Sequence, residues 1–444
     1  METNGSAFPA EDRIEAKVLA QFMPKRQDDK ESTFKNNDQL CALSSTKMVT
    51  GHTGAAAGLL SLVKAAICLH QQILPAYKTL KSPISELNDR RDAFFTPNEP
   101  QFWLRNKING SRTAGVSSIS IDGSVYHAVL EGFEKDDELT VEARKSTEIS
   151  RQFPIGEPDD AIFIVGGSSP CDLRERVAAL VNLESDNINS LAREYWQQFP
   201  TKPDSRLHCA IVASSIEELH RRAEYAVRHL YSKENQPIIQ GPEVNDRIFY
   251  SPKPKAAEGK ICFAFPGSGN HFLGMGLELG ATWPEFQRKL DNQYDLLAAQ
   301  FGARRIAPWR LSYEDGWEDK AMQNLIDDHN SLVFSHVSCC SLVSDIVRSF
   351  GIEPEIVMGY SLGETAGNYA TRTWTKRDEM IRRMRCSNLF TTELIGRYNS
   401  ARQYYESFFQ NNLPQGITME EIVTATGDAP QNRYSNYVLK SKNI

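Results

Sequence analysis

Gly359-Tyr360-Ser361-Leu362-Gly363-Glu364 sets a serine between two glycines, directly after the apolar run Glu355–Met358 and before a stretch, Glu364–Tyr369, that reads as a helix. A strand, a sharp turn and a helix form the setting in which G-x-S-x-G presents a nucleophile. The glycines matter because the serine occupies a strained turn whose neighbours must carry no bulk, leaving Oγ exposed at a helix N-terminus. Ser361 is therefore the candidate nucleophile. The competing reading is an ordinary strand-to-helix turn that matches by chance. A serine hydroxyl attacks only when a base takes its proton, and in elbow-type sites that base is usually a histidine later in the chain. All nine histidines precede Ser361, the last being His336, so the order Ser, Asp, His is not completed.

A second glycine-rich turn, Phe265-Pro266-Gly267-Ser268-Gly269-Asn270-His271, follows the apolar strand ICFAF. Its backbone N–H groups suit a developing oxyanion. A phosphate cradle is the rival, but the turn has no GK[ST] ending and its spacing misses G-x-G-x-x-G. His271 is either a neighbour of Ser361 or a polar loop residue. Downstream, Arg382, Arg383 and Arg385 fall in a helical pattern, DEMIRRMRCSNLF. An arginine there can grip a carboxylate in bidentate fashion, or it can simply be solvated.

These residues need scaffolds, and 444 residues at roughly 150 per domain suggest about three of them. With 40% apolar and 24% charged residues, the chain is able to bury cores. A net charge of −7 without a one-sign block gives no footprint for nucleic acid. The stretch Gly54–Leu74 is broken by Lys64, His70, Gln71 and Gln72 and reads as a buried globular helix, so no membrane span is expected. METNGSAFPAEDR lacks the basic and apolar regions of a secretory leader, which favours the cytoplasm. Eight cysteines without a CxxC or a metal-ligand rhythm read as reduced, mostly buried thiols, with no metal site.

Punctuation divides the chain into residues 1–135, 136–256 and 257–444. The first ends in the strand pattern HAVLEGF and a charged run. The second alternates strand candidates (161–165, 208–212) with helices around 173–183, 188–198 and 215–230, a small α+β unit. The third opens after the Pro- and Lys-rich SPKPKAAEGK.

Taken together, the blocks resemble a modular polyketide or fatty acid synthase: the thiolase-like C-terminal half of a ketosynthase, the linker domain behind it, and the front of an α/β malonyl/acyl transferase. FPGSGNH echoes that transferase's F-P-G-Q-G-x-Q, and Gly359–Glu364 echoes its G-H-S-x-G-E. By this likeness Ser361 carries an acyl ester, and the backbone of Leu362 with His271 stabilises the oxyanion. Arg385 grips a donor carboxylate if one residue is deleted between elbow and helix. Ser268, His271 and Tyr360 depart from the pattern, and the family's catalytic histidine lies about a hundred residues past the serine, beyond this chain's 83.

The first block matches ketosynthases through ETNGSAFPAEDRIEA from Glu2, Lys47 with Gly51-His52-Thr53, Gly115-Val116-Ser117-Ser118, and Asp122-Gly123-Ser124-Val125-Tyr126-His127. Asn4 stands where that family has its first histidine, and an amide does not become cationic near neutral pH. Asn4, Lys47 and His52 therefore read as the remnant of a condensing site. The arrangement is most like the B component of bacterial omega-3 polyunsaturated fatty acid synthases.

What the resemblance implies is transfer of an acyl or malonyl group from CoA through Ser361 to the phosphopantetheine thiol of an acyl carrier protein, with no bound cofactor. Acyl carrier protein and other synthase subunits are the expected partners, with dimerisation through the ketosynthase-like block. The chain reads as a piece cut at both ends and inactive by itself. The alternatives are a noncatalytic, chain-length-factor-like interaction subunit and a serine hydrolase or thioesterase.

Overall fold

Two alternating apolar segments separated by amphipathic ones dictate a small antiparallel sheet covered by helices. The computed structural model describes residues 1–22, 40–77, 84–134, 139–151, 156–200, 205–238, 246–254, 259–302 and 316–393, apart from 89, 91, 92, 98, 157 and 391, together with 403 and 407. Residues 155–261 form one compact unit, and residues 1–154 with 262–444 form another. The boundaries expected at 135/136 and 256/257 fall outside the described residues.

In the smaller unit, β3 (Ala161–Gly167) runs antiparallel to β4 (Leu207–Ala213), which pairs in turn with β5 (Ile248–Tyr250). Alternation puts Phe163, Val165, Cys209 and Ile211 into the core, where helices α4 (Pro170–Ala179), α5 (Ile188–Gln198) and α6 (Ile216–Ser232) bring Leu173, Leu191 and Leu219. One device starts two helices. Ser169 accepts from Asp172 N–H (3.2 Å) while the Asp172 carboxylate accepts from Ser168 N–H (2.8 Å); Ser215 and Glu218 repeat this with Ser214 (3.2 and 3.0 Å). Each first turn is thereby capped in both directions.

In the larger unit, the N-terminal part begins with α1 (Pro9–Phe22) and α2 (Ala57–Gln71), followed by the hairpin of β1 (Thr113–Ile119) and β2 (Val125–Glu131). Helix α2 buries Ala57, Ser61, Ala65 and Leu69, one residue per turn. Its other face leaves Leu59, Val63 and Ile67 exposed, so the expectation of a buried helix is corrected. Its residues are apolar on both sides, and apolar periodicity fails to say which face packs. By length and composition Gly54–Gln71 and His329–Ser349 are both apolar enough to span a membrane; the second is 67% buried inside the protein, the first 22%. The helix α3 (Val141–Ser150) belongs to this part, with His70 Nε2 2.8 Å from Ser150 Oγ and Arg151 Nε donating to His70 O (2.7 Å).

The C-terminal part pairs β6 (Cys262–Phe265) with β7 (Ile356–Gly359) in parallel. Around them lie α7 (Leu277–Thr282), α8 (Pro284–Gln293), α9 (Leu297–Gln300), α10 (Trp317–Asp327), α11 (His329–Ser349), α12 (Leu362–Ala370) and α13 (Arg377–Cys386). It shares a core with the N-terminal part: Ile73 and Phe102 cluster with Met275, Phe286 and Leu290. Above that cluster, Arg105 reaches Asp291 (3.1 Å), and Arg112 reaches both Glu134 (2.8 Å) and Asp291 (3.4 Å), all four side chains being at most 10% exposed. Two cations and two anions make this buried set neutral, the condition under which such charges are tolerated away from water.

The eight thiols are all free, but only Cys209 and Cys339 are buried; Cys171, Cys262 and Cys386 are exposed and the rest half-buried. The expectation of mostly buried thiols is corrected accordingly. Burial pushes the Cys209 thiol up to about 12.

Candidate active site

Parallel pairing in the register Phe265↔Gly359 ends β6 and β7 at the same level. The turn after each strand therefore emerges beside the other. Tyr360 N–H donates to Phe265 O (3.3 Å), and a Cβ on Gly267 would sit 2.9 Å from Tyr360 O and 3.5 Å from Ser361 Cβ. Only glycine at 267 permits that approach. Gly363 is tighter still: its Cβ would lie 2.1 Å from Phe265 O, and one on Gly359 would lie 2.3 Å from the Gly363 carbonyl carbon.

Squeezed between these contacts, Ser361 adopts φ 55°, ψ −119°. This left-handed conformation is strained for a residue with a Cβ, at a cost of order 1–3 kcal/mol. The cost leaves Ser361 exposed at the N-cap of α12, where its Oγ has no hydrogen-bond partner among the described residues. Leu362 is the first residue of that helix, so its N–H has no intrahelical acceptor and faces the same end. The positive end of the helix dipole supports negative charge there.

The turn at 266–271 is fixed from three directions. Asn270 Nδ2 donates to Gly267 O (3.0 Å), Gly269 takes φ 99°, and His336 Nε2 donates to Pro266 O (2.9 Å) from the buried face of α11. His336 is 3% exposed. Burial holds it below the ordinary histidine range, and its bond to Pro266 opposes that only in part. His271 closes the turn, half-buried, with its Nδ1 buried and unpartnered among the described residues. Burial lowers its pKa, and the nearby His336 pushes the same way. Two neutral imidazoles thus flank the turn at neutral pH.

Helix α13 completes the surroundings. Its Met380, Ile381 and Met384 pack with Leu362, Val333 and Phe334. Arg385, one residue past Met384, is half-buried along that packed edge, whereas Arg382 and Arg383 are exposed and Arg383 pairs with Glu379 (2.7 Å). The structure therefore brings the elbow, the second glycine turn and the helix of Arg385 together. Among the described residues no three His, Cys, Asp or Glu side chains gather as metal ligands.

The second group of sequence-selected residues lies in the N-terminal part. Lys47 Nζ donates to Asn4 O (2.6 Å) and Asn4 Oδ1 (3.0 Å), and Ile119 N–H also donates to Asn4 Oδ1 (3.1 Å). The Asn4 oxygen is thereby saturated. Burial lowers the Lys47 pKa, partly offset by Glu15, Asp12 and Glu11. His52 is exposed and accepts from Gly54 N–H at Nδ1 (3.0 Å). Sequence reasoning passed over Glu15, which accepts from the Asn4 and Gly5 N–H groups (2.7 and 3.0 Å), and over His336 as a support of the first site. A histidine inside HNSLVFSHVSCCSL is a signal for a buried partner.

Residues 1–81 match the family described as "Beta-ketoacyl synthase, C-terminal domain". The chain is related to polyketide and polyunsaturated fatty acid synthases. It is 25% identical to a polyunsaturated fatty acid synthase subunit of Thraustochytrium sp. over 88% of its own length and 20% of that protein. It is 26% identical to a phenolphthiocerol/phthiocerol polyketide synthase subunit of Mycobacterium tuberculosis, covering 82% of this chain and 22% of that one. It spans only 4% to 22% of the length of such curated relatives. Among solved structures, "Structure of the Acyl Transferase domain of ZmaA" aligns at TM-score 0.39 and 16% identity, covering 57% of this chain and 56% of that one.

Proposed function

We propose that this chain supplies acyltransferase chemistry to a polyketide- or polyunsaturated-fatty-acid-type synthase, loading an acyl or malonyl group from CoA onto Ser361 and passing it to the phosphopantetheine thiol of an acyl carrier protein. The observation that carries the reading is the strained Ser361 at φ 55°, ψ −119°, presented at the start of α12 with the 266–271 turn packed against it. In the first step Ser361 Oγ attacks the thioester carbonyl. Its proton passes to a base, the C–S bond breaks, and CoA leaves as the thiol. In the second, the carrier thiol attacks the ester, and Oγ recovers a proton as the C–O bond breaks. Leu362 N–H and the 266–271 turn face the oxyanion that develops in both. Residues 362–444 contain no histidine, so the test below supplies imidazole as the base.

The ketosynthase-like part is read as noncatalytic, a surface for docking or dimerisation, because the Asn4 oxygen is taken up by Lys47 and Ile119. This is also the observation that favours the second reading, an interaction subunit without chemistry.

Following the fate of the acyl group separates the readings. The chain is incubated with malonyl-CoA, holo-carrier protein and imidazole as a replaceable base. Malonyl-carrier product supports the proposal, free malonate marks a hydrolase, and carrier binding without either marks an interaction subunit. If Arg385 grips the carboxylate, Arg385→Ala lowers malonyl transfer at least about tenfold more than acetyl transfer. Equal losses refute that role.

A further inference from the structure

We propose that the free edge of β2 is an interface between copies of this chain, β2 of one copy adding antiparallel to β2 of a second about a two-fold axis at Ala128. The inference stands on the hairpin alone and is independent of the chemistry at Ser361. The strand ends a ladder in which Phe94–Phe95 pairs with Cys41–Ala42, Glu2 bridges Ser44 on one side and Val116 of β1 on the other, and β2 comes last. Gly132 N–H donates to Arg112 O (2.8 Å) and Ser120 N–H to Ser124 O (2.9 Å), which fixes the phase of the hairpin, since hydrogen-bonded pairs recur at every second residue. Val125, His127, Val129 and Glu131 fall between those pairs. They aim N–H and C=O away from β1, where no backbone partner meets them among the described residues. On β1 the alternate residues likewise point outward, Gly115 O accepting from Glu2 N–H (2.8 Å) and Ser117 N–H donating to Glu2 O (3.0 Å).

Open strand edges are ordinarily guarded by lysine, proline, a bulge or a covering segment. β2 reads VYHAVLE, with no Pro, Gly or Lys, its register with β1 runs unbroken through seven pairs, and every residue but the half-buried Leu130 is exposed. The sequence is also complementary to itself. Centred on Ala128, the register opposes Val125 to Glu131 and His127 to Val129 of the second copy, so the N–H and C=O of all four outward residues find partners. The axis falls on a non-hydrogen-bonded pair, where Cα atoms come closest, about 4.5 Å, and Ala128 is the smallest side chain of the strand. Glu131, the only carboxylate in β2, meets Val125, and no like charges are opposed. Moving the axis to His127 or Val129 leaves one outward residue of each copy unpaired. The helix above adds apolar surface. α2 packs on Ala114 and Val116 of β1, its Lys64 flank reaching Glu2 and its Leu62 flank clustering with Leu130 of β2. Leu59 and Ala66, both exposed, continue the Leu62 flank on the face of the sheet that carries Tyr126 and Ala128. Opposed residues of antiparallel strands share a face, so pairing puts both α2 helices on one side, three strand spacings or about 14 Å apart, with Leu59 and Tyr126 of each copy between them.

The test uses the full chain. Sedimentation velocity is expected to show a monomer–dimer equilibrium between micromolar and hundreds of micromolar concentrations. His127→Pro removes an outward N–H that the hairpin does not use, so far-UV circular dichroism is kept while dimerisation weakens at least about tenfold, the effect of two backbone hydrogen bonds lost per dimer. Register is read by cysteine cross-linking under mild oxidation, above the background that the exposed Cys171, Cys262 and Cys386 give the parent chain. Ala128→Cys joins to itself, and His127→Cys joins Val129→Cys in a mixture while neither joins to itself. Tyr126→Cys, about 14 Å from its counterpart, stays unjoined. Should His127→Pro disturb the fold, the cross-linking pattern decides alone. The proposal is overturned by a chain that stays monomeric over that range, by a folded His127→Pro that dimerises unchanged, or by Tyr126→Cys joining as readily as Ala128→Cys. That last result assigns association to exposed apolar surface such as Val63 and Ile67.

Discussion

Replacing Gly363 by alanine isolates the packing that makes the elbow. The added Cβ would lie 2.1 Å from Phe265 O, 2.8 Å from the Phe265 carbonyl carbon and 2.8 Å from Pro266 O. All three are backbone atoms at the end of β6, so no side chain can rotate away. Restoring ordinary contact requires α12 and β6 to separate by about 1 Å, in a region where the Gly359 and Gly367 contacts already hold β7 against α12. Overpacking of this kind costs about 1–3 kcal/mol when side chains adjust, and rigid backbone puts this case at about 3 kcal/mol or above. Gly363 does not have positive φ, so the effect is purely one of space. Gly110 is the contrasting case, with φ 87°, ψ −164° and nothing within 4 Å of its Cβ; Gly110→Ala meets no clash and costs backbone strain alone, of order 1–3 kcal/mol, without loss of protection over 356–370. Urea unfolding gives the energies, and hydrogen exchange over residues 356–370 shows where protection is lost. A Gly363→Ala protein that keeps its unfolding midpoint within about 0.5 kcal/mol, with native protection over 356–370, refutes the close-approach argument.

Three more outcomes follow from other parts of the molecule. Asp291→Asn leaves Arg105 and Arg112 with Glu134 as their remaining carboxylate, and breaking a buried pair of this kind costs about 3–5 kcal/mol, read by urea unfolding. His336→Leu removes the bond to Pro266 O and should raise exchange over 266–271 while destabilising by about 1–3 kcal/mol; unchanged exchange there removes His336 as a support of the turn. Hydrogen bonds from Ser168 hold Asp172 well below the usual carboxylate range, at about 2, and those from Ser214 lower Glu218. Depressed folded-state pKa values stabilise above the unfolded values, near 4, and the contribution disappears as pH falls toward 2. Exchange protection over residues 161–200 and 205–232, corrected for the intrinsic pH dependence of amide exchange, should therefore fall below about pH 4, and the Asp172→Asn, Glu218→Gln double variant should flatten that dependence.

The parts of this molecule that depend on near neighbours were legible from the residues. Strand 161–167, strand 207–213 and the helices after them follow from alternation and from Ser-Ser-x-x-acid starts, and the elbow follows from glycines two residues either side of Ser361. What depended on distant partners was not. His336 meets a carbonyl 70 residues away and Arg105 a carboxylate 186 residues away, and no spacing rule links them. Helix α2 misled for a different reason: Leu59, Val63 and Ile67 are as apolar as the residues opposite them, so composition pointed to full burial while only one stripe packs. The cysteines behaved likewise, because a thiol such as Cys262 sits at the end of an apolar strand yet faces outward.

Whether Ser361 is an acyl-carrying nucleophile is tested most directly by mass spectrometry of the full chain after incubation with malonyl-CoA and imidazole, followed by peptide mapping. One malonyl adduct is expected on the peptide containing Ser361, dependent on imidazole and absent from Ser361→Ala. No adduct, or an adduct that survives in Ser361→Ala, contradicts that role.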